Sequence, residues 1–105
     1  MNRAALIFGL LILTGCKQSP EQVAQVVCQE ALKQAAKNPS SAEIPPGIVE
    51  PLSFVTDGTG YSVTWGHGKG LRFQNGFGAM LDSTAMCIVR DGKVTRLGID
   101  EKMVI

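Results

Sequence analysis

Residues 84–99 read TAMCIVRDGKVTRLGI, and this stretch predicts a β-hairpin. Asp91-Gly92 is a dipeptide typical of two-residue hairpin turns, because both residue types tolerate a positive φ angle. Thr84–Arg90 and Lys93–Ile99 flank the turn and have the length and composition of strands. Cys87 lies in the middle of the first of these strands.

An amphipathic helix is predicted upstream of this hairpin, from Ser19 to about residue 37. Ser19 can cap the helix, Pro20 suits its first position and Gln22 completes a capping box. Asn38-Pro39 is expected to end the helix. At about 100° per residue, one half of the helix is apolar: Val23, Ala24, Val27, Cys28, Ala31, Leu32 and Ala35. The other half is polar: Gln22, Gln25, Gln29, Glu30, Lys33 and Lys37.

Downstream of the helix, the sequence predicts short strands separated by turns. Further strands are expected at 53–56, 61–65 and 71–74, and turns at 57–60, 66–70 and 75–79. Ala42–Leu52 contains three prolines, which favour an extended connection or a weak edge strand. This order predicts an α+β fold, with one N-terminal amphipathic helix packed on a small curved antiparallel sheet of three to five strands.

The first sixteen residues have a different character. Arg3 is followed by the apolar run Ala4–Leu13, which ends in Leu13-Thr14-Gly15-Cys16. A helix that spans a bilayer needs about 20 residues, so the run is too short to cross. The segment resembles the signal peptide and lipobox of bacterial lipoprotein precursors. This resemblance implies cleavage before Cys16 and lipidation of its sulfur.

The resemblance divides the chain into three parts: a lipoprotein signal peptide at 1–15, a lipidated tether at 16–19 and a single small α+β domain at 20–105. One alternative is that Ala4–Leu13 is a buried core helix, which the preceding Arg3 and the following small residues disfavour. Another is a signal peptide without lipid, but that type of cleavage site does not call for Cys16.

The charge balance disfavours one class of partner. The chain has ten Lys and Arg and nine Asp and Glu, and only Arg3 among them lies within residues 1–15. The mature part would therefore have zero net side-chain charge, whereas binding of nucleic acid favours a basic excess. Membrane attachment would rest on the acyl chains of Cys16, since two or three chains give stable anchoring.

The remaining two cysteines, Cys28 and Cys87, are expected to pair. The leader predicts an oxidising compartment, where paired thiols form disulfides. Such a bridge would join the helix to the sheet. The alternative is a zinc site made by both cysteines and His67, but the spacing lacks the paired pattern of known zinc motifs. No metal site is predicted.

His67 is the only histidine of the chain. A hydrolase triad with Ser62 or Ser83 and Asp57 or Asp82 is conceivable, but no Gly-x-Ser-x-Gly motif supports it. The glycine-rich turn at 66–70 matches no phosphate-binding motif. The sequence therefore predicts no catalytic residue and no cofactor.

Four aromatic residues belong either to the core or to a recognition surface: Tyr61, Trp65, Phe73 and Phe77. Phe77 is the strongest surface candidate, because a side chain in a glycine-rich bend is easily exposed. The candidate binding surface consists of Phe77, Trp65 and His67.

Two longer stretches carry a second resemblance. Residues 31–44 read ALKQAAKNPSSAEI, and residues 74–87 read QNGFGAMLDSTAMC. Together they are similar to elements of small bacterial envelope proteins of uncharacterised function, which carry one cysteine in the helix and one in the later strand. This chain departs from the pattern at Ile44, where an aromatic residue is usual. The resemblance implies a fold and is nearly silent on activity.

These observations favour a non-enzymatic lipoprotein that binds an envelope protein or glycan at the membrane surface. Lys17 follows the lipidated cysteine, and a non-acidic residue there is associated with the periplasmic face of the outer membrane in enteric-type bacteria. A second hypothesis is an exclusion lipoprotein of a plasmid or prophage, which keeps related elements out of the cell. A third is a hydrolase of envelope material, with His67 in its site.

Overall fold

The structure, a computed structural model, describes residues 18–52 and 60–105. Helix α1 spans Pro20–Ala35, and a short 3-10 turn spans Pro39–Ser41. The strands are β1 Ile48–Pro51, β2 Gly60–Trp65, β3 Arg72–Gln74, β4 Met80–Asp82, β5 Ala85–Arg90, β6 Lys93–Ile99 and β7 Lys102–Met103. The α+β fold predicted from the sequence is confirmed, because α1 packs against an antiparallel sheet of five strands.

The main sheet has the strand order β1-β2-β5-β6-β7, and β3 and β4 form a separate hairpin. The hairpin predicted over residues 84–99 is formed by β5 and β6. Asp91 and Gly92 have φ angles of 51° and 78°, as a type I′ turn requires. The predicted strand at 53–56 and residues 57–59 of the predicted turn lie outside the described residues.

The start of α1 follows the predicted capping box. The N–H of Gln22 donates to Ser19 Oγ at 3.2 Å, and the N–H of Ser19 donates to Gln22 Oε1 at 3.0 Å. The helix ends two residues earlier than expected, at Ala35. Ala36 takes an extended conformation and its N–H donates to the carbonyl of Lys33. Among the described residues, no helix combines the length and the apolar character that crossing a bilayer requires.

The core lies between α1 and the face of the main sheet that α1 covers, which we call the inner face. Its buried residues are Ala24, Cys28, Leu32, Val63, Trp65, Leu71, Ala85, Cys87, Val89 and Leu97. Cys28 and Cys87 form the predicted disulfide, which joins the centre of α1 to β5. Both cysteines are completely buried.

Two glutamines of α1 have a role that their place on the polar half does not suggest. The side-chain amide of Gln25 donates to the carbonyl of Gly47 at 3.0 Å and accepts from its N–H at 2.8 Å. Gln29 Nε2 donates to the carbonyl of Ile44 at 3.1 Å. Proline has no N–H and cannot complete a strand ladder. The glutamines therefore satisfy the backbone on both sides of Pro45-Pro46.

The sequence does not predict β4 or β7. The turn before β7 is formed by Asp100 and Glu101, whose φ angles are 51° and 67°. Few non-glycine residues adopt this left-handed conformation. Asp100 is held there by its side chain, because its Oδ1 accepts from the N–H of Thr84 at 3.0 Å. A contact with a residue distant in the sequence, Thr84, thus helps to specify this turn.

Candidate functional site

The domain has two distinct ends along the axis of α1. At the helix-start end, Ser19 caps α1 near the β5–β6 turn, where a Cβ on Gly92 would lie 3.8 Å from Val23 Cγ1. At the opposite end, α1 stops beside the β3–β4 hairpin, and Asn38 Nδ2 donates to Gln74 Oε1 at 2.9 Å. A helix of 16 residues separates the two ends by about 24 Å.

A cleft of about 290 Å³ opens where α1 stops, and we call this side of the domain the cleft end. Its apolar lining includes Phe73, Leu81 and Ile99, and its polar rim includes Lys37 and Asp100. The volume lies near the lower limit for sites that enclose small molecules. A mixed apolar and polar lining of this size suits one or two side chains of a partner.

The carboxylates at the cleft already have partners. Asp100 Oδ1 accepts from the N–H of Thr84, and its Oδ2 accepts from the hydroxyl of Ser83 at 3.2 Å. Asp82 Oδ1 is 3.1 Å from Arg72 Nε in a pair that is about half exposed. An ion pair this exposed contributes little to stability, about 0–1 kcal/mol. The carboxylate of Asp100 therefore helps to fix the shape of the cleft.

Phe77 lies at the tip of a hydrogen-bonded loop that joins β3 to β4. Asn75 Oδ1 accepts from the N–H groups of Phe77 at 2.8 Å and Ala79 at 3.0 Å. The N–H of Asn75 donates to the carbonyl of Ala79 at 2.8 Å, and Gly78 has a φ of 86° that suits glycine. The loop is thus ordered by hydrogen bonds within it, chiefly to Asn75, while the Phe77 side chain is 97% exposed.

The β3–β4 hairpin is fastened to the rest of the domain through β3, and its own two ends are paired with each other. The backbone groups of Glu43 and Arg72 exchange two hydrogen bonds of 3.0 Å, and the N–H of Ser83 donates to the carbonyl of Leu71 at 2.9 Å. The Asn38–Gln74 contact also joins the two stretches, 31–44 and 74–87, that carry the second resemblance. Phe77 therefore projects from a fixed base.

The structure places the predicted residues of the candidate binding surface in different environments. Phe77 is exposed at the loop tip, and His67 is exposed in the turn after β2. Trp65 is only 2% exposed, and its Nε1 donates to the carbonyl of Pro45 at 2.7 Å. The prediction of Trp65 as a surface residue is therefore wrong, because its ring is part of the core. Cys16 lies outside the described residues.

The structure bears on individual residues of two chemical alternatives. Ser83, one of the conceivable nucleophiles, is 5% exposed and donates to Asp100 instead of to an imidazole. The disulfide uses the sulfurs of Cys28 and Cys87, so neither can serve as a thiolate ligand beside His67. In residues 18–52 and 60–105, no three His, Cys, Asp or Glu side chains cluster as metal ligands would.

Lys37, Leu81 and Asp100 are cleft residues that sequence reasoning misses. Leu81 is 51% exposed beside the cleft. A large apolar residue in this short segment is a signal that could have marked Leu81 as a candidate surface residue in the sequence. Asp100 belongs to a turn that contains no glycine, and nothing in the local sequence marks its role. Comparison with models of protein families, curated proteins and solved structures finds no match for this chain.

Proposed function

We propose that this chain is a lipid-anchored protein of the bacterial cell envelope, and that its domain binds a partner without catalysing a reaction. Acyl chains on Cys16 would hold it in the membrane, with the periplasmic face of the outer membrane as the favoured location. The partner would contact the cleft end, through Phe77 and the apolar lining of the cleft. A protein partner suits this lining, because Leu81 and Ile99 offer apolar surface to its side chains.

The position of the N-terminus supports this orientation. Ser19 follows Cys16 by three residues, and three residues reach at most about 10 Å. A lipid on Cys16 would therefore keep the helix-start end against the bilayer surface. The cleft end would then lie up to about 24 Å farther out, on the side that faces the periplasm, because α1 separates the two ends.

The exposure of Phe77 carries the proposal of a binding function. An aromatic ring that is 97% exposed gains the full benefit of burial when a partner covers it, about 2 kcal/mol. Its loop is already ordered by Asn75, so binding costs little additional backbone entropy. Aromatic side chains with these properties are typical anchors of protein interfaces.

Substituting Cys16→Ser is expected to abolish incorporation of radioactive palmitate and to release the protein from the membrane fraction. The reason is that serine offers no thiol for the thioether bond on which anchoring would depend. Labelling in growing cells, followed by membrane fractionation, provides the measurement. The matched control is the double variant Cys28→Ala/Cys87→Ala, which should keep its label per molecule of protein. Equal labelling of wild type and Cys16→Ser would contradict the proposed anchor.

Substituting Phe77→Ser is expected to weaken partner binding by about tenfold or more, because hot-spot residues contribute 2 kcal/mol or more. A photo-crosslinking amino acid at Leu81, beside the cleft, should form an adduct in intact cells whose yield falls in the Phe77→Ser background. Stability should stay within about 0.5 kcal/mol of wild type, since Phe77 has almost no packing to lose.

The matched control for Phe77 is Val26→Ser. Val26 is 48% exposed on α1, away from the cleft, so its substitution should leave the adduct yield unchanged. An adduct that persists in Phe77→Ser, or that is lost equally in Val26→Ser, would remove Phe77 from the proposed binding surface.

A further inference from the structure

The main sheet has a second face, opposite α1, which we call the outer face. Successive side chains of a strand alternate between faces. Val63 and Cys87 are completely buried on the inner face. Their neighbours Thr64 and Met86 therefore point outward, and the strand register places this pair side by side.

Two rows of outward side chains cross this face, as the strand register shows. The first row is Ile48, Thr64, Met86, Gly98 and Met103, from β1 through β7. The second row is Glu50, Ser62, Ile88 and Arg96, from β1 through β6. The first row is apolar except for one threonine, and the second has opposite charges at its two ends.

The apolar residues of the first row are unusually open to solvent. Ile48 is 61% exposed, Met86 is 40% exposed and Met103 is 58% exposed. Single exposed apolar residues are common on protein surfaces, but a continuous apolar row on an exposed sheet is typical of an interface. Gly98 has no side chain between Met86 and Met103, and the Met103 side chain covers it: a Cβ on Gly98 would lie 3.7 Å from Met103 Sδ.

The charges of the second row indicate that the partner covering the outer face is a second copy of this chain. Glu50 on β1 and Arg96 on β6 lie three strand spacings apart, about 14 Å. A two-fold axis parallel to the strands and midway between β2 and β5 exchanges these two positions between two copies stacked face to face. Each Glu50 then faces Arg96 of the other copy, and the face is complementary to itself.

The same axis also matches the first row. It places Ile48 of one copy over Gly98 of the other, where the Met103 side chain that covers Gly98 offers an apolar contact, and Thr64 over Met86. Sheets that pack face to face lie about 10 Å apart, a distance that such side chains fill. The whole chain has a formal charge of +1 at pH 7, so two copies repel each other little.

We propose that the outer face of the main sheet is the interface of a homodimer with two-fold symmetry, closed by two Glu50–Arg96 ion pairs around an apolar row. This surface is separate from the cleft end, so the dimer would present two cleft ends to partners. The proposal is independent of the lipid anchor and of the function proposed for Phe77.

Charge reversal provides a test that distinguishes a misfolded variant from a lost interface. Two full-length copies with different affinity tags, joined by flexible linkers to the C-terminus, are co-expressed, solubilised in mild detergent and purified through one tag. Wild-type copies should co-purify. When both copies carry Glu50→Arg, or both carry Arg96→Glu, recovery of the second copy should fall by about tenfold or more, because like charges then face each other twice.

The decisive sample combines one copy with Glu50→Arg and one copy with Arg96→Glu. In the proposed geometry both facing pairs again have opposite charges, so co-purification should return to within about threefold of wild type. The rescue should be larger at low salt. It also shows that both variants fold, since an unfolded copy offers no sheet to its partner.

Glu30→Arg and Lys33→Glu serve as matched reversals on the exposed side of α1 and should leave co-purification unchanged. Failure of wild-type copies to co-purify would overturn the proposal. Unimpaired pairing of either single reversal, or absence of rescue in the mixed sample, would also overturn it.

Discussion

Replacing both Cys28 and Cys87 by alanine is expected to lower the free energy of unfolding by about 4 kcal/mol. The disulfide joins residues separated by 59 positions, so it removes much of the conformational freedom of the unfolded chain. Small domains have total stabilities of about 5–15 kcal/mol, and a loss of this size leaves the domain barely folded. Both residues are changed together, because a single substitution would leave a reactive thiol in the core.

The measurement is urea unfolding of the oxidised wild type and the double variant, followed by circular dichroism. Wild-type protein with its disulfide reduced should resemble the variant, since both lack the cross-link. Cys16→Ser is the matched control and should unfold at the wild-type urea concentration. A loss below about 1 kcal/mol in the double variant would mean that packing around α1 and β5, and not the bridge, stabilises this domain.

The elements that the sequence predicts well are those specified by neighbouring residues. Ser19 and Gln22 cap α1 through contacts within four residues, and Asp91-Gly92 forms its turn from its own backbone preferences. The apolar spacing of α1 identifies the face that meets the sheet, and the position of Cys28 in that face anticipates the disulfide. Each of these features depends on a short stretch of chain, which makes it readable before any tertiary contact is known.

The features that the sequence does not reveal depend on distant contacts. Asp100 adopts a left-handed conformation because Ser83 and Thr84 bind its carboxylate. By its spacing Gln25 belongs to the polar half of the helix, but its side-chain amide binds the backbone of Gly47, a residue far away in the sequence. The cleft combines the end of α1 with the β3–β4 hairpin and the end of β6, three segments that meet only in the folded domain.

The candidate surface illustrates the same distinction. Phe77 is exposed because Asn75 and Gly78 shape its loop locally, and the sequence anticipates this. Trp65 ends a strand, and a strand residue can face either side of the sheet. Only the register with β5, which places Trp65 opposite the buried Ala85, assigns its ring to the core.

Substituting Trp65→Ala is therefore expected to cost about 3–5 kcal/mol of folding stability, the range for removal of a large buried aromatic ring. The ring is 2% exposed and packs against residues 45–47, where a Cβ on Gly47 would lie 2.7 Å from Trp65 Cε2. Truncation leaves a cavity there and removes the donor to the carbonyl of Pro45. The segment that Gln25 and Gln29 hold against α1 then loses its hydrogen bond and packing contact with Trp65.

Phe77→Ala is the matched control, because it also removes a large aromatic side chain. Phe77 is 97% exposed, so its truncation should change stability by less than about 0.5 kcal/mol. Far-UV circular dichroism should follow both unfolding transitions, since Trp65 is the only tryptophan and its variant has no indole fluorescence. Equal losses in the two variants would contradict the assignment of Trp65 to the core and Phe77 to the binding surface, because area removed from water, not ring size, sets the cost.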